Sequence, residues 1–157
     1  IETAGHCRGH LCLYDADRRL LISGDQVLPT ISPNVSVLSS APDADPLREF
    51  LESIERLRAC APDTLVLPSH GRPFRRLHAR LDDLQAHHLQ QLEALRAHCR
   101  EPQTAFEVLP AMFRRVPRGF HRLLAVGEAV AHLNYLCGRG DLERCVDGSG
   151  VARFVTR

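Results

Sequence analysis

The sequence predicts a mixed α/β fold of the α+β kind, arranged in two parts, residues 1–99 and 100–157. Three observations predict it. Over the first part, short strand-like apolar runs alternate with longer stretches that are apolar at every third or fourth position. At Arg100-Glu101-Pro102 the pattern breaks. Beyond that break, two helical patterns precede two alternating runs around a glycine-rich turn. A chain of 157 residues can bury a core of ordinary size, in one domain or in two small ones.

The elements follow in order. Leu11-Cys12-Leu13-Tyr14 and Leu20-Leu21-Ile22 flank Asp15-Ala16-Asp17-Arg18-Arg19, which reads as a β-hairpin whose second strand ends at Ser23-Gly24-Asp25. Residues 26–44, rich in Pro, Ser and Asn, form a long irregular segment of the kind that often builds a site beside a rigid scaffold. Asp45 caps a helix, with Pro46 at the first helical position, where its missing N–H has no partner to lose. Leu47, Phe50, Leu51, Ile54 and Leu57 share its inner face, and Pro62 stops it. Thr64-Leu65-Val66-Leu67 is too short for a helix and reads as a buried strand that delivers Ser69-His70-Gly71 into a loop. A long helix covers roughly 75–99, with Leu77, Leu81, Leu84, His88, Leu92, Leu95 and Cys99 inward. A short helix is expected over Gln103–Phe113 with Thr104 as its cap. A longer one runs over Phe120–Cys137, with Leu123, Leu124, Gly127, Val130, Ala131 and Asn134 inward, and ends at Gly138 and Gly140. Leu142–Val146 and Val151–Val155 enclose Asp147-Gly148-Ser149-Gly150 as a hairpin. Helix, helix and hairpin is the order of a small winged-helix module.

Composition limits the function classes. A formal net charge of +1 gives no reason to expect nucleic acid or a membrane surface. No run is apolar enough to span a bilayer and no signal peptide is seen. The six cysteines include no C-x-x-C pair, which argues against a zinc ribbon. They read instead as buried free thiols in a reducing, cytoplasmic setting. The absence of Trp, the single Met and the excess of Arg over Lys look like GC-rich bacterial coding bias. Ile1 runs straight into a motif, so a fragment or processed chain is expected.

Three motifs carry the chemistry: Gly5-His6-Cys7-Arg8-Gly9-His10, Ser23-Gly24-Asp25 and Pro68-Ser69-His70-Gly71. Each ends or adjoins a strand-like run and sets a His or Asp beside a glycine, which lets the backbone turn sharply. Hydrolytic zinc sites use this mix of imidazole nitrogen and carboxylate oxygen, and they leave one position open for water. Singly the motifs are commonplace, and the ordered set is the signal.

That ordered set resembles the C-terminal half of the metallo-β-lactamase-fold hydrolases, over about residues 3–99. The resemblance implies half of an αβ/βα sandwich. It implies that His10 and His70 are metal ligands and that Asp25 bridges two ions in the catalytic centre. His6 would support the ligands rather than bind. Zinc is the first choice for these donors, with manganese or iron as alternatives. Ala4 and Cys7 stand where the family commonly has Pro and Thr, and Cys7 would touch only the surroundings of the ligands. The family's upstream His-x-His-x-Asp-His is not in the chain. The parent enzyme is therefore expected to use a metal-bound hydroxide on an ester, thioester or phosphodiester. The chain alone is expected to be metal-poor and inactive, and to self-associate or require the missing N-terminal half.

Residues 100–157 resemble the winged-helix-like appendage of the β-lactamase-like protein 2 group, through Gly127–Leu136 and Gly138-Arg139-Gly140. Two further readings follow. One is an RNA-processing endonuclease of the same fold. The other is a non-catalytic winged-helix module for nucleic-acid binding or assembly. Arg114, Arg115, Arg118 and Arg122 form a basic cluster that suits phosphates, though a solvated face explains it as well. Ser32 and Asn34 in the long loop are candidates for lining a substrate cleft. His87 and His88 do not make a metal pair, because adjacent helical residues point about 100° apart. His78 and His98 read as solvated.

Overall fold

A computed structural model describes all of residues 1–157. The chain divides into two compact units. One comprises 1–35 and 48–87, the other 36–47 and 88–157.

In the first unit, β1 (Glu2–Thr3) pairs antiparallel with β2 (His10–Leu11), placing Thr3 opposite His10. β3 (Leu13–Asp15) pairs antiparallel with β4 (Leu20–Gly24), and β4 pairs parallel with β5 (Leu65–Pro68). The strand expected over Leu11–Tyr14 is thus split at Cys12. Its two pieces serve different sheets, because the wholly buried Cys12 turns the chain inward between them. The register of β4 against β5 shifts between Ile22 and Gly24, a bulge that re-aims the strand end carrying Asp25. Leu21 and Val66 are wholly buried on one face of the β3–β4–β5 sheet, with Cys12, Phe50, Ile54, Leu57, Leu77, Leu81 and Leu84 also in this unit's core. Burying each Leu or Ile contributes about 1.5–3 kcal/mol. On the other face, Leu13 and Ile22 sit opposite each other and stay exposed.

α1 (Pro46–Arg56) and α2 (Leu77–His98) lie where expected, and every residue assigned inward on α2 is buried. α1 passes into a single 3-10 turn, Leu57–Ala59, before Pro62. His78, expected in solvent, is half-buried with Nε2 2.9 Å from the Cys60 carbonyl.

In the second unit, the helix expected over 103–113 shrinks to α3 (Leu109–Met112). Two causes are visible. Thr104 and Glu107 form a reciprocal cap, Glu107 N–H to Thr104 Oγ1 at 3.2 Å and Thr104 N–H to Glu107 Oε2 at 2.8 Å, which closes one turn by itself. Pro110 then lacks the N–H needed to join that turn to the next. Gln103 instead bridges Phe154 in the hairpin. α4 (Phe120–Arg139) ends at Gly140 in the left-handed conformation, with Asp141 N–H on the Leu136 carbonyl. Of the residues expected inward, only Ala131 is buried; Ala125, Ala129, His132, Leu133 and Leu136 make up the rest of the buried face, whereas Leu123 is 66% exposed. β6 (Leu142–Val146) and β7 (Ala152–Thr156) complete the hairpin.

All six cysteines are free thiols, but only Cys12, Cys60 and Cys99 are buried, while Cys7 and Cys145 are exposed. Burial pushes the Cys99 thiol up to about 11, so it stays protonated and unreactive at neutral pH. No helix is long and apolar enough to cross a membrane.

Candidate metal centre

The strand ends of the first unit gather the three motifs. β4 and β5 run parallel, so the segments leaving their carboxyl ends, Asp25 and Ser69-His70, emerge side by side, with Ser69 N–H on the Gly24 carbonyl at 3.1 Å. β2 opens with His10, and the tight approach of its ring depends on Gly24. At φ +53° this residue is left-handed, and a Cβ there would lie 2.5 Å from His10 Nε2. Gly24 therefore fixes both the turn into Asp25 and the space for the imidazole.

The tautomer of His10 follows from its partners. The Thr3 hydroxyl donates to the His10 carbonyl at 3.2 Å, so its oxygen accepts from Nδ1–H at 2.9 Å. Nε2 then carries the lone pair and is free to bind a cation. Burial, followed by the neighbouring His6, holds the His10 pKa below its ordinary value against the pull of Asp25. A neutral imidazole is the form a metal requires.

Asp25 is the hub. Its Oδ1 lies 3.5 Å from His70 Nε2 and accepts a hydrogen bond from Ser69 Oγ. Its Oδ2 lies 3.5 Å from His6 Nε2. The carbonyl of Asn34 accepts from His6 Nδ1–H at 2.9 Å, which turns Nε2 of the ring towards the carboxylate. A cation between that nitrogen and the carboxylate would have a donor on each side. His70 has its side chain 72% exposed, against 28% for His6 and 32% for Asp25.

The structure thus brings His6, His10, Asp25 and His70 to one edge, and it attaches Asn34 to them through its main chain. Ser32, two residues before Asn34 in the same loop, donates its Oγ–H to the Pro33 carbonyl at 3.3 Å. The donor types fit zinc, but no group of three or more His, Cys, Asp or Glu side chains is gathered to hold an ion unaided. The fit is that of a partial donor set. Three supporting residues escaped the sequence reading: Thr3, Ser69 and the wholly buried Gln26, whose Nε2 donates to the Ala4 carbonyl at 3.3 Å.

Two family profiles match the chain: the metallo-β-lactamase superfamily over residues 1–70, and the metallo-β-lactamase-like C-terminal domain over residues 92–157. Among solved structures, a β-lactamase domain protein from Burkholderia ambifaria is 45% identical with a TM-score of 0.96. The match covers 100% of this chain and 47% of that one. A metallo-β-lactamase family protein from Thermus thermophilus is 32% identical with a TM-score of 0.85, covering 100% of this chain and 48% of that one. The fold is that of metallo-β-lactamase structures, and the chain spans about half the length of these relatives. No curated protein matches it.

Proposed function

On the membership of the metallo-β-lactamase superfamily that these matches support, we propose that the first unit supplies half of the ligand set of a metal-dependent hydrolase acting on an ester, thioester or phosphodiester. His10 and His70 would each hold an ion, and Asp25 would bridge two, zinc being favoured over manganese or iron. The observation that carries this reading is the Asp25 carboxylate. One oxygen is directed at His70 and the other at His6, each at 3.5 Å, beside a His10 ring seated on Gly24. When bound, zinc brings the pKa of a water to about 7 and so supplies hydroxide at neutral pH.

The chain's own residues do the rest. Thr3 holds His10 in the ligating tautomer, Ser69 fixes one oxygen of Asp25, and His6, anchored on Asn34, supports the other. Ser32 and Asn34 belong to the loop we assign to the substrate cleft. His10 with Asp25, and Asp25 with His70, offer two donors to each ion, where a catalytic zinc takes three protein ligands. The remaining donors come from residues outside these 157 or from a second copy, and the chain alone is metal-poor and inactive. We assign residues 100–157 to a winged-helix-like domain of the β-lactamase-like protein 2 type, on their order of short helix, long helix and hairpin.

The test is zinc-dependent hydrolysis of p-nitrophenyl butyrate and bis(p-nitrophenyl) phosphate by a chain extended to the relatives' length. Turnover of either, lost on Asp25→Asn and on His70→Ala, supports the reading. Turnover retained in both variants removes these residues from the centre.

A second reading, an RNA-processing nuclease, is favoured by one observation. Arg114, Arg115 and Arg118 are exposed next to the exposed ring of Phe120, and Arg122 lies 5.9 Å over the exposed ring of Phe106. Cations for phosphates beside faces for bases suit single-stranded nucleic acid. Salt-sensitive binding of a single-stranded RNA, lost in the triple Arg→Ala variant, would favour it.

A further inference from the structure

The second unit contains a groove of about 680 Å³ that the hydrolytic reading does not use. Its floor is α4, through Leu123, Leu124, Val130 and Asn134, and its side walls include Phe154 of β7. The remaining wall is the loop 36–44, which is pinned to α4 at both ends. At one end, Val37 N–H donates to the Gly127 carbonyl at 3.0 Å and Ser36 Oγ to the Leu124 carbonyl at 3.2 Å. This approach is so close that a Cβ on Gly127 would lie 3.0 Å from Ser36 Cβ. At the other end, Asn134 Nδ2 donates to the carbonyls of Pro42 and Ala44, each at 2.9 Å. Leu38, Ser39 and Ser40 arch between the two anchors and face the groove. The cavity is therefore built and held open by named bonds rather than left by loose packing, and its size is that of an ordinary small-molecule site.

Its chemistry is one-sided. The lining is apolar apart from three serines, Asn134 and Arg144, and Arg144 is the single charged residue, with no acid among the lining groups. Arg144 NH1 is 2.6 Å from Asp43 Oδ1, an ion pair that leaves other guanidinium donors and lies with Asp43 81% exposed. Leu123 and Phe120, 66% and 70% exposed, widen the apolar mouth.

We propose that this groove binds a small amphipathic carboxylate, its hydrocarbon part along α4 and its anionic end at Arg144. Arg144 would be the group that selects the anion, and Asp43 the acid the ligand displaces from it. The site is independent of the metal centre and stands whether or not that centre is catalytic.

The test is calorimetric titration of the 157-residue chain with octanoate and with octan-1-ol, an uncharged molecule of the same length. Saturable one-to-one binding of octanoate is expected, weakened about tenfold by Arg144→Gln while octan-1-ol changes by less than about twofold. Leu123→Asp, at an exposed position that the fold does not need, should abolish octanoate binding. Asp43→Asn should leave it equal or tighter, because the competing carboxylate is gone. Non-saturable binding overturns the proposal, as does equal weakening of both ligands by Arg144→Gln or loss on Asp43→Asn. A concentration-dependent dimer broken by Leu123→Asp, with no octanoate binding, assigns the groove to a second copy instead. Loss of binding in a chain of the relatives' length assigns it to that chain's own residues.

Discussion

Gly24 does two jobs that no other residue type does as well: it turns the chain with φ +53° into Asp25, and it leaves room for the His10 ring. Gly24→Ala should destabilise the first unit by about 1–2 kcal/mol from the left-handed backbone alone. It should also move the His10 ring, since Cβ and Nε2 would otherwise stand 2.5 Å apart. A denaturant melt and the His10 ring resonances check both parts. An unmoved ring would separate the glycine from the site. That His10, Asp25 and His70 come close together was legible in the sequence, because each sits beside a glycine at the edge of an apolar run. Thr3 and Ser69 were not, because their roles are set by pairing. Thr3 faces His10 only through the register of β1 with β2, and a two-residue strand shows no alternation to read. Ser69 reaches Asp25 only because β5 runs parallel to β4.

At the scale of elements, the hairpin turn rests on Asp147. Its carboxylate accepts from Ser149 Oγ at 2.6 Å, from Arg153 Nε at 2.8 Å and from the Ser149 and Val151 amides at 3.0 and 3.1 Å. These bonds, that of Ser149 Oγ foremost, hold its pKa well below the usual carboxylate range. A depressed carboxyl contributes stability above its unfolded pKa of about 3.9, and that contribution disappears as pH falls through the folded value. Asp147→Asn should therefore melt below the parent chain at pH 7, and the gap should narrow as pH drops below about 4. A gap independent of pH would mean that the carboxylate charge is irrelevant to the turn.

α2 was readable from period alone and the hairpin from alternation around its glycine-rich turn, whereas the buried face of α4 was not. Leu123, Leu124 and Val130 looked like core but line the groove, and a histidine lies in the core instead. His132 Nδ1–H donates to the Glu128 carbonyl at 2.8 Å, so its Nε2 accepts from His88 Nδ1–H at 3.1 Å, with both rings wholly buried. Hydropathy scores a histidine as polar, and hydrogen bonds to partners such as these offset the cost of burying it.

For the whole molecule, the telling surface is the outer face of the β3–β4–β5 sheet. Leu13 and Ile22, paired across the strands, are 62% and 46% exposed, and Leu11 on β2 is 64% exposed. Exposed apolar side chains paired on a sheet face suit burial against another surface, and the matched structures are about twice as long as this chain. The isolated chain should self-associate, with a mass that rises with concentration in sedimentation, and Ile22→Lys should make it monomeric. A monomer at all concentrations would show that the face tolerates water. Where zinc binds is the most direct test of the half-site. Titration of the 157-residue chain with zinc, followed through its nine histidine rings, should give weak binding that shifts His10 and His70 and leaves His78, His87 and His98 in place. Loss of that binding in Asp25→Asn completes the predicted result. Tight stoichiometric binding unaffected by Asp25→Asn, or zinc held only at the other histidines, would contradict the account.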